Sequence, residues 1–213
     1  MADEIQTVRS SRRWFRLSLR TSLLIIAIAA GALGYIVHCE NVRRAAEVRI
    51  KPLGGNIGWR ERGPNWLTRL IGRDVFAVPD EVAFLNEPLS DDDLQALAGL
   101  EEARHLLISQ NATFTGSGLR HLAQMSNLES LYLYDVPLSD DGLMKLPKLP
   151  TLRKIELYAT VMTDKSIPFF EQFDYVDEIQ IGSESLTKDA VQALDARMPN
   201  TKVGWSGQGY GGD

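Results

Sequence analysis

Pairs of apolar residues with one residue between them recur along the chain at a nearly fixed period. They are Val82/Phe84, Leu106/Ile108, Leu131/Leu133, Ile155/Leu157, Ile179/Ile181 and Val203/Trp205, with steps of 24, 25, 24, 24 and 24. Between them runs a second series: Leu94/Leu97/Leu100, Leu119/Leu122/Met125, Leu143/Leu146/Leu149, Ile167/Phe170/Phe173 and Val191/Leu194, stepping by 25, 24, 24 and 24. Two independent registers that agree to within one residue mark a repeat architecture. Each unit reads as a short strand that buries every second side chain, then a turn, then a short helix with an i, i+3 apolar stripe. The turns carry Ser90-Asp91, Ser139-Asp140, Thr163-Asp164 and Thr187-Lys188, good N-cap chemistry for the helices that follow. One such unit cannot cover its own apolar face, so the units must stack. The expected fold class is therefore α/β, with a parallel sheet and helices outside it.

The segments LESLYLYDVPLSDDGLMKLPKLPT (128–151) and LRKIELYATVMTDKSIPFFEQFDY (152–175) resemble leucine-rich repeats of the form LxxLxLxxTxxTDxxLxxLxxL. That variety is similar to the ribonuclease-inhibitor-like class, to the repeats of F-box-type adaptors and to bacterial leucine-rich-repeat proteins anchored by one N-terminal helix. The resemblance covers residues 80–205. It implies a leucine-rich-repeat solenoid with a parallel sheet, preceded by one transmembrane helix, and a role in protein–protein interaction. The sequence departs from the pattern at the turn residue, which runs Glu87, Asn111, Val136, Thr160, Glu184, so no regular asparagine ladder is expected. Pro168 lies inside the fourth helical segment, and the second unit is one residue longer around Thr113-Phe114-Thr115.

Residues 21–37 (TSLLIIAIAAGALGYIV) carry no charge. As a helix they would cover roughly 25 Å of a hydrocarbon core of about 30 Å, with Arg20 and His38 able to reach the two surfaces. Arg9, Arg12, Arg13, Arg16 and Arg20 precede the run; Arg43, Arg44, Arg49 and Lys51 follow it. The balance favours a cytoplasmic N-terminus and a repeat domain outside the cytoplasm. Two other readings stand beside a spanning helix. One is a signal peptide cleaved near Ala30-Gly31-Ala32, against which the apolar run continues through Tyr35-Ile36-Val37. The other is a lipoprotein signal with Cys39 as the modified residue, against which stands the bulky His38. The expected organisation is a basic segment (1–20), a transmembrane helix (21–38), a juxtamembrane helix and N-terminal cap (39–79), the repeat domain (80–206) and a loose tail (207–213). Within the cap, Glu40–Leu53 reads as a solvated stalk helix ending at Pro52 and Gly54-Gly55, and Asn65–Ile71 as a short covering helix.

Charge and chemistry narrow the function. Residues 1–51 hold nine Lys/Arg and four Asp/Glu, net +5; residues 52–213 hold fourteen and twenty-four, net −10. An acidic domain offers no positive face to nucleic acid. One cysteine excludes an internal disulfide, and His38, His105 and His121 fall in no metal-ligand spacing. Asp91-Asp92-Asp93 invites calcium, but acidic residues in a helix's first turn are sufficiently explained by the helix dipole. Gly116-Ser117-Gly118 is not a nucleophile elbow, and Gly54-Gly55 is too short for a phosphate loop. No catalytic, cofactor or metal site is expected.

The outward strand positions are more informative. One ladder runs Ala83, Leu107, Tyr132, Glu156, Gln180, Gly204 and the next Leu85, Ser109, Tyr134, Tyr158, Gly182, Ser206. Strands about 4.8 Å apart make Tyr134 and Tyr158 neighbours, with Tyr132 two residues away. Tyrosines on a concave sheet suit an unknown protein or peptide partner, although tyrosine also simply favours strands. The candidate partner-binding residues are Tyr132, Tyr134, Tyr158, Leu107 and Glu156, on a membrane-anchored interaction module. The alternatives are a secreted or envelope structural protein after signal cleavage, and an enzyme or metal protein whose site is not evident in the sequence.

Overall fold

The computed structural model describes residues 19–63, 68, 69, 72, 76–86 and 88–207. The basic residues 1–18, most of the expected helix Asn65–Ile71 and the tail beyond Gly207 lie outside them. The chain divides into two units, Met1–Val37 and His38–Asp213.

Helix α1 spans Leu19–Ile50. Its apolar window has a mean hydropathy of 2.1 and no residue buried against protein, so it is long and apolar enough to cross a membrane. The apolar segment and the charged segment that follows it belong to this one helix. The helix ends where proline and glycine dictate. Pro52 sits in a 3-10 turn, Lys51–Leu53, and Gly54 takes φ +70° while its N–H donates to the Lys51 carbonyl.

The end of α1 is not the solvated stalk that its charges suggest. Ala46 and Ile50 are buried in the core. Arg43 lies over the Trp59 ring at 5.3 Å, and Arg49 Nη1 donates to the Ala98 carbonyl. Glu47 pairs with Lys51 at 2.9 Å and with Arg43 at 3.4 Å, one turn after it and one turn before it on the same helix face.

The second unit is mixed α/β around a seven-stranded, mostly parallel sheet in the order β1-β2-β3-β4-β5-β6-β7. The strands are β1 Gly55–Glu61, β2 Ala77–Leu85, β3 His105–Ser109, β4 Ser130–Tyr134, β5 Lys154–Thr160, β6 Glu178–Ser183 and β7 Lys202–Trp205. From β2 onward neighbours are parallel and the apolar pairs meet in register: Val82, Leu106, Leu131, Ile155, Ile179, Val203. The exception is β1, antiparallel to β2. It lies in a stretch that does not share the period, and it occupies one edge of the sheet where the sequence suggested only a helical cap. At the other edge Trp205 pairs with Ile181 but is 38% exposed, so it does not bury as the leucines of its register do.

The connections return over the opposite face of the sheet. They are mostly 3-10 helical: Asp91–Leu97, Ser117–Gln124, Asp164–Ser166 and Glu171–Phe173, with short α-turns at Asp140–Leu143 and Ile167–Phe170. Their buried residues recur every third position without drift, which matches three residues per turn rather than 3.6. The last connection is a true α-helix, Lys188–Arg197, with buried residues at Val191, Leu194 and Met198, a 3-then-4 spacing.

Successive turns bond to one another through a repeated side-chain contact. The Asp91 carboxylate accepts the Thr115 hydroxyl at 2.6 Å and the N–H groups of Gly116 and Gly118, each at 2.9 Å. Asp140 accepts the Thr163 hydroxyl at 2.7 Å, and Asp164 the Thr187 hydroxyl at 2.9 Å. Glycines let neighbouring turns approach closely: a Cβ on Gly118 would lie 2.2 Å from the Asp91 carbonyl oxygen, and one on Gly142 2.2 Å from that of Thr115. The aspartate run is thereby accounted for. Asp91 ties two turns, Asp92 pairs with Arg120 at 3.0 Å, and Asp93 accepts from the Ser90 N–H and hydroxyl. Among the described residues no cluster of His, Cys, Asp or Glu could hold a metal.

A residue in the left-handed region follows each of β2, β3 and β4, namely Asn86 (φ 60°), Gln110 (54°) and Asp135 (52°), and the corresponding residue Ala159 (51°) lies within β5. In β5 this produces a bulge. Leu157 pairs with Ile181, but Thr160 pairs with Ser183. The residue that follows Thr160 in the turn series is therefore buried Ser183, whose hydroxyl donates to the carbonyls of Thr160 and Met162. Glu184, expected there, is exposed.

Candidate functional site

Strand pleating sends Leu131 and Leu133 into the core and Tyr132 and Tyr134 to the other face. There the ladder Ala83–Leu107–Tyr132–Glu156–Gln180–Gly204 is in register along its whole length. Leu85–Ser109–Tyr134–Tyr158 is also in register, and its continuation to Gly182 is displaced by the β5 bulge. Leu107, Tyr132, Tyr134, Glu156 and Tyr158 are half-buried rather than fully exposed, and Ala83 is buried. Large neighbours on a sheet cover one another, and small residues between them are shielded.

The tyrosines form a row. Tyr134 stacks on Tyr158 at 5.6 Å between centroids and 23° between planes, and Tyr132 tilts against Tyr134 at 6.0 Å. The Tyr158 ring lies across Gly182, where an added Cβ would come within 2.9 Å of it. Glycine at 182 therefore leaves room for that ring.

A polar network holds the row in place. Tyr134 donates its hydroxyl proton to Glu156, which also receives Lys154 Nζ at 2.6 Å. Lys154 lies 5.8 Å from the Tyr132 ring centroid and 3.5 Å from Glu178. Glu178 in turn accepts from Gln180 Nε2 at 3.0 Å and Lys202 at 3.2 Å. The bond to Glu156, helped by the charges of Glu156 and Glu178, holds the Lys154 ammonium above its ordinary range against the effect of burial. Burial, with the Glu156 and Glu178 charges, pushes the Tyr158 phenol up. The bond from Gln180, with that from Lys202 and the charges of Lys154 and Lys202, lowers the Glu178 carboxyl against the effect of burial. Lys154 therefore stays cationic and the Tyr158 phenol neutral across physiological pH.

Compared with known proteins, the chain matches no family profile and no curated sequence.

Beside the row, on its β3 side, an open depression of about 360 Å³ is lined by Glu81, His105, Leu107, Tyr132 and Tyr134. Glu81 and His105 are paired neighbours in the sheet, and Gly58 on β1 faces Glu81 from the other side. The sequence ladders include neither Glu81 nor His105, because they lie one pleat before the first marked position. The same period run two residues back yields Glu81, His105, Ser130, Lys154, Glu178, Lys202, the charged half of this face. The arrangement brings aromatic side chains, a carboxylate and an aliphatic side chain together around one depression. His105 and His121 are not brought together: His105 is on this face, and His121 lies in the 3-10 segment over the other.

Proposed function

We propose that this chain is a membrane-tethered leucine-rich-repeat protein whose exposed sheet face holds a protein or peptide partner. The repeat reading is supported by parallel strands stepping at the sequence period, by left-handed residues at steps of 24, 25 and 24, and by the recurring aspartate-to-threonine bond. The tether reading is supported by the charge-free run in α1, and the arginines before it favour a cytoplasmic N-terminus with the sheet on the far side. The observation that carries the functional reading is the stacked row Tyr132–Tyr134–Tyr158. Tyrosine is enriched where proteins grip partners, because its ring is large and rigid and its hydroxyl tolerates water. Burial of these rings against one another pre-organises the surface, which lowers the entropy lost on binding. The test is partner capture. Chemical crosslinking in intact cells should attach a defined partner to the intact protein and much less of it to the double variant Tyr132→Ala, Tyr158→Ala. Undiminished capture by the double variant would refute the reading.

A further inference from the structure

The charges on the exposed sheet face do not cancel, and the excess sits at one point. Lys154 and Lys202 are engaged by Glu156 and Glu178. Two lysines against two glutamates leave that part of the face balanced. Glu81 is exposed and, among the described residues, takes part in no ion pair. On its β1 side stands Gly58, which has no side chain to cover it, and on its other side begins the depression of about 360 Å³. Besides Glu81, that depression is lined by the aromatic residues His105, Tyr132 and Tyr134 and by Leu107. Tyr132 already holds one ammonium group, that of Lys154, at 5.8 Å.

A free carboxylate beside aromatic side chains and an aliphatic one is complementary to a long cationic side chain. The cation meets Glu81 and a ring, and the methylene stem lies on Leu107. Arginine suits the place better than lysine, because its planar guanidinium both stacks on an aromatic ring and pairs with a carboxylate in a fork. The surrounding field agrees: residues 52–213 carry a net −10, fourteen Lys/Arg against twenty-four Asp/Glu, which draws a basic partner towards the face.

We propose that the depression bounded by Glu81, His105, Leu107, Tyr132 and Tyr134 is a pocket for an arginine side chain of a basic, extended peptide segment of the partner. The proposal rests on the reading of the sheet face as a binding surface and adds the chemical class of the occupant.

The test uses the full-length chain in neutral maltoside micelles. Two labelled peptides serve as probes: one alternating arginine with valine, the other the same peptide with citrulline, the uncharged isostere, for arginine. The arginine peptide should bind saturably, and Glu81→Gln should weaken it about tenfold, as loss of one close charge partner does. Glu184→Gln, which removes an exposed carboxylate elsewhere on the same unit, should leave affinity unchanged. The citrulline peptide should bind more weakly and be indifferent to Glu81→Gln. Tyr132→Phe, which keeps the ring, should retain the arginine peptide, and Tyr132→Ala should lose it. The pocket is overturned if the arginine peptide does not bind, if Glu184→Gln weakens it as much as Glu81→Gln, or if the citrulline peptide binds equally well. The surface itself then stands or falls separately, on whether the tyrosine pair governs partner capture.

Discussion

The Asp91 carboxylate accepts the Thr115 hydroxyl at 2.6 Å across 24 positions of sequence, and so joins one connecting turn to the next. Burial works to raise that carboxyl. The bonds from the Thr115 hydroxyl and from the N–H groups of Gly118, Thr115 and Gly116 outweigh it and hold the group below the ordinary 3.8. A carboxyl lowered in the folded chain stabilises fully above its unfolded value and loses that contribution as pH falls through the folded one.

Asp91→Ala should therefore cost about 1–3 kcal/mol at neutral pH, because four donors lose a charged acceptor. The difference between variant and intact protein should shrink as pH drops below about 4. Asp92→Ala should be close to neutral, since its side chain is 77% exposed and pairs only at the surface. Urea denaturation of both variants at neutral and acid pH measures this. Equal effects from the two aspartates would remove Asp91 from its role between turns.

Ala159 is exposed and takes φ 51°, a conformation that costs an L-residue with a Cβ about 1–2 kcal/mol. Ala159→Gly should stabilise the protein by about 0.5–1 kcal/mol after the added freedom of the unfolded chain is subtracted. At this size that is a rise of roughly 1–4 °C in Tm. A fall in Tm would mean that the alanine methyl packs where the β5 bulge leaves it open.

The two faces of β4 and β5 should respond differently to truncation. Leu133 and Leu157 are fully buried, so either one changed to alanine should cost roughly 2–5 kcal/mol. Tyr132→Ala and Tyr158→Ala should cost clearly less, through lost ring contacts only. Thermal melts of single variants decide it, and tyrosine variants that melt as early as the leucine variants would make the exposed face part of the core.

The run Thr21–Val37 should keep the full-length chain in the membrane fraction through alkaline carbonate extraction. Release into the supernatant would point to cleavage, and the mass of the mature N-terminus would locate it.

Much of this fold was legible in the sequence because the signal is periodic. The strand register follows from pairs such as Leu106/Ile108 and Leu131/Leu133, and the adjacency of Tyr134 and Tyr158 follows from the register. The 3-10 character of the connections was also written there, in strict three-residue spacing such as Leu94/Leu97/Leu100, which reads too easily as an α-helical stripe. Three things were hidden. Strand β1 does not share the period, and its pairing depends on partners 16 to 29 residues further along the chain. The β5 bulge turns on one backbone angle at Ala159, a residue with no preference for it. Glu81 and His105 lie outside the ladders that flank the buried pairs, and a carboxylate on the free face leaves no mark in a hydrophobic pattern.

Site-directed photocrosslinking reads whether a partner sits on the tyrosine row. A photoreactive phenylalanine placed at Tyr132 probes the exposed sheet face; the same residue at Met144, 48% exposed in the connection after β4, probes the side that carries the helical turns. Irradiation of intact cells should give a discrete, saturable adduct from position 132 and none of that mass from position 144. An adduct from position 144 with none from position 132 would contradict the account.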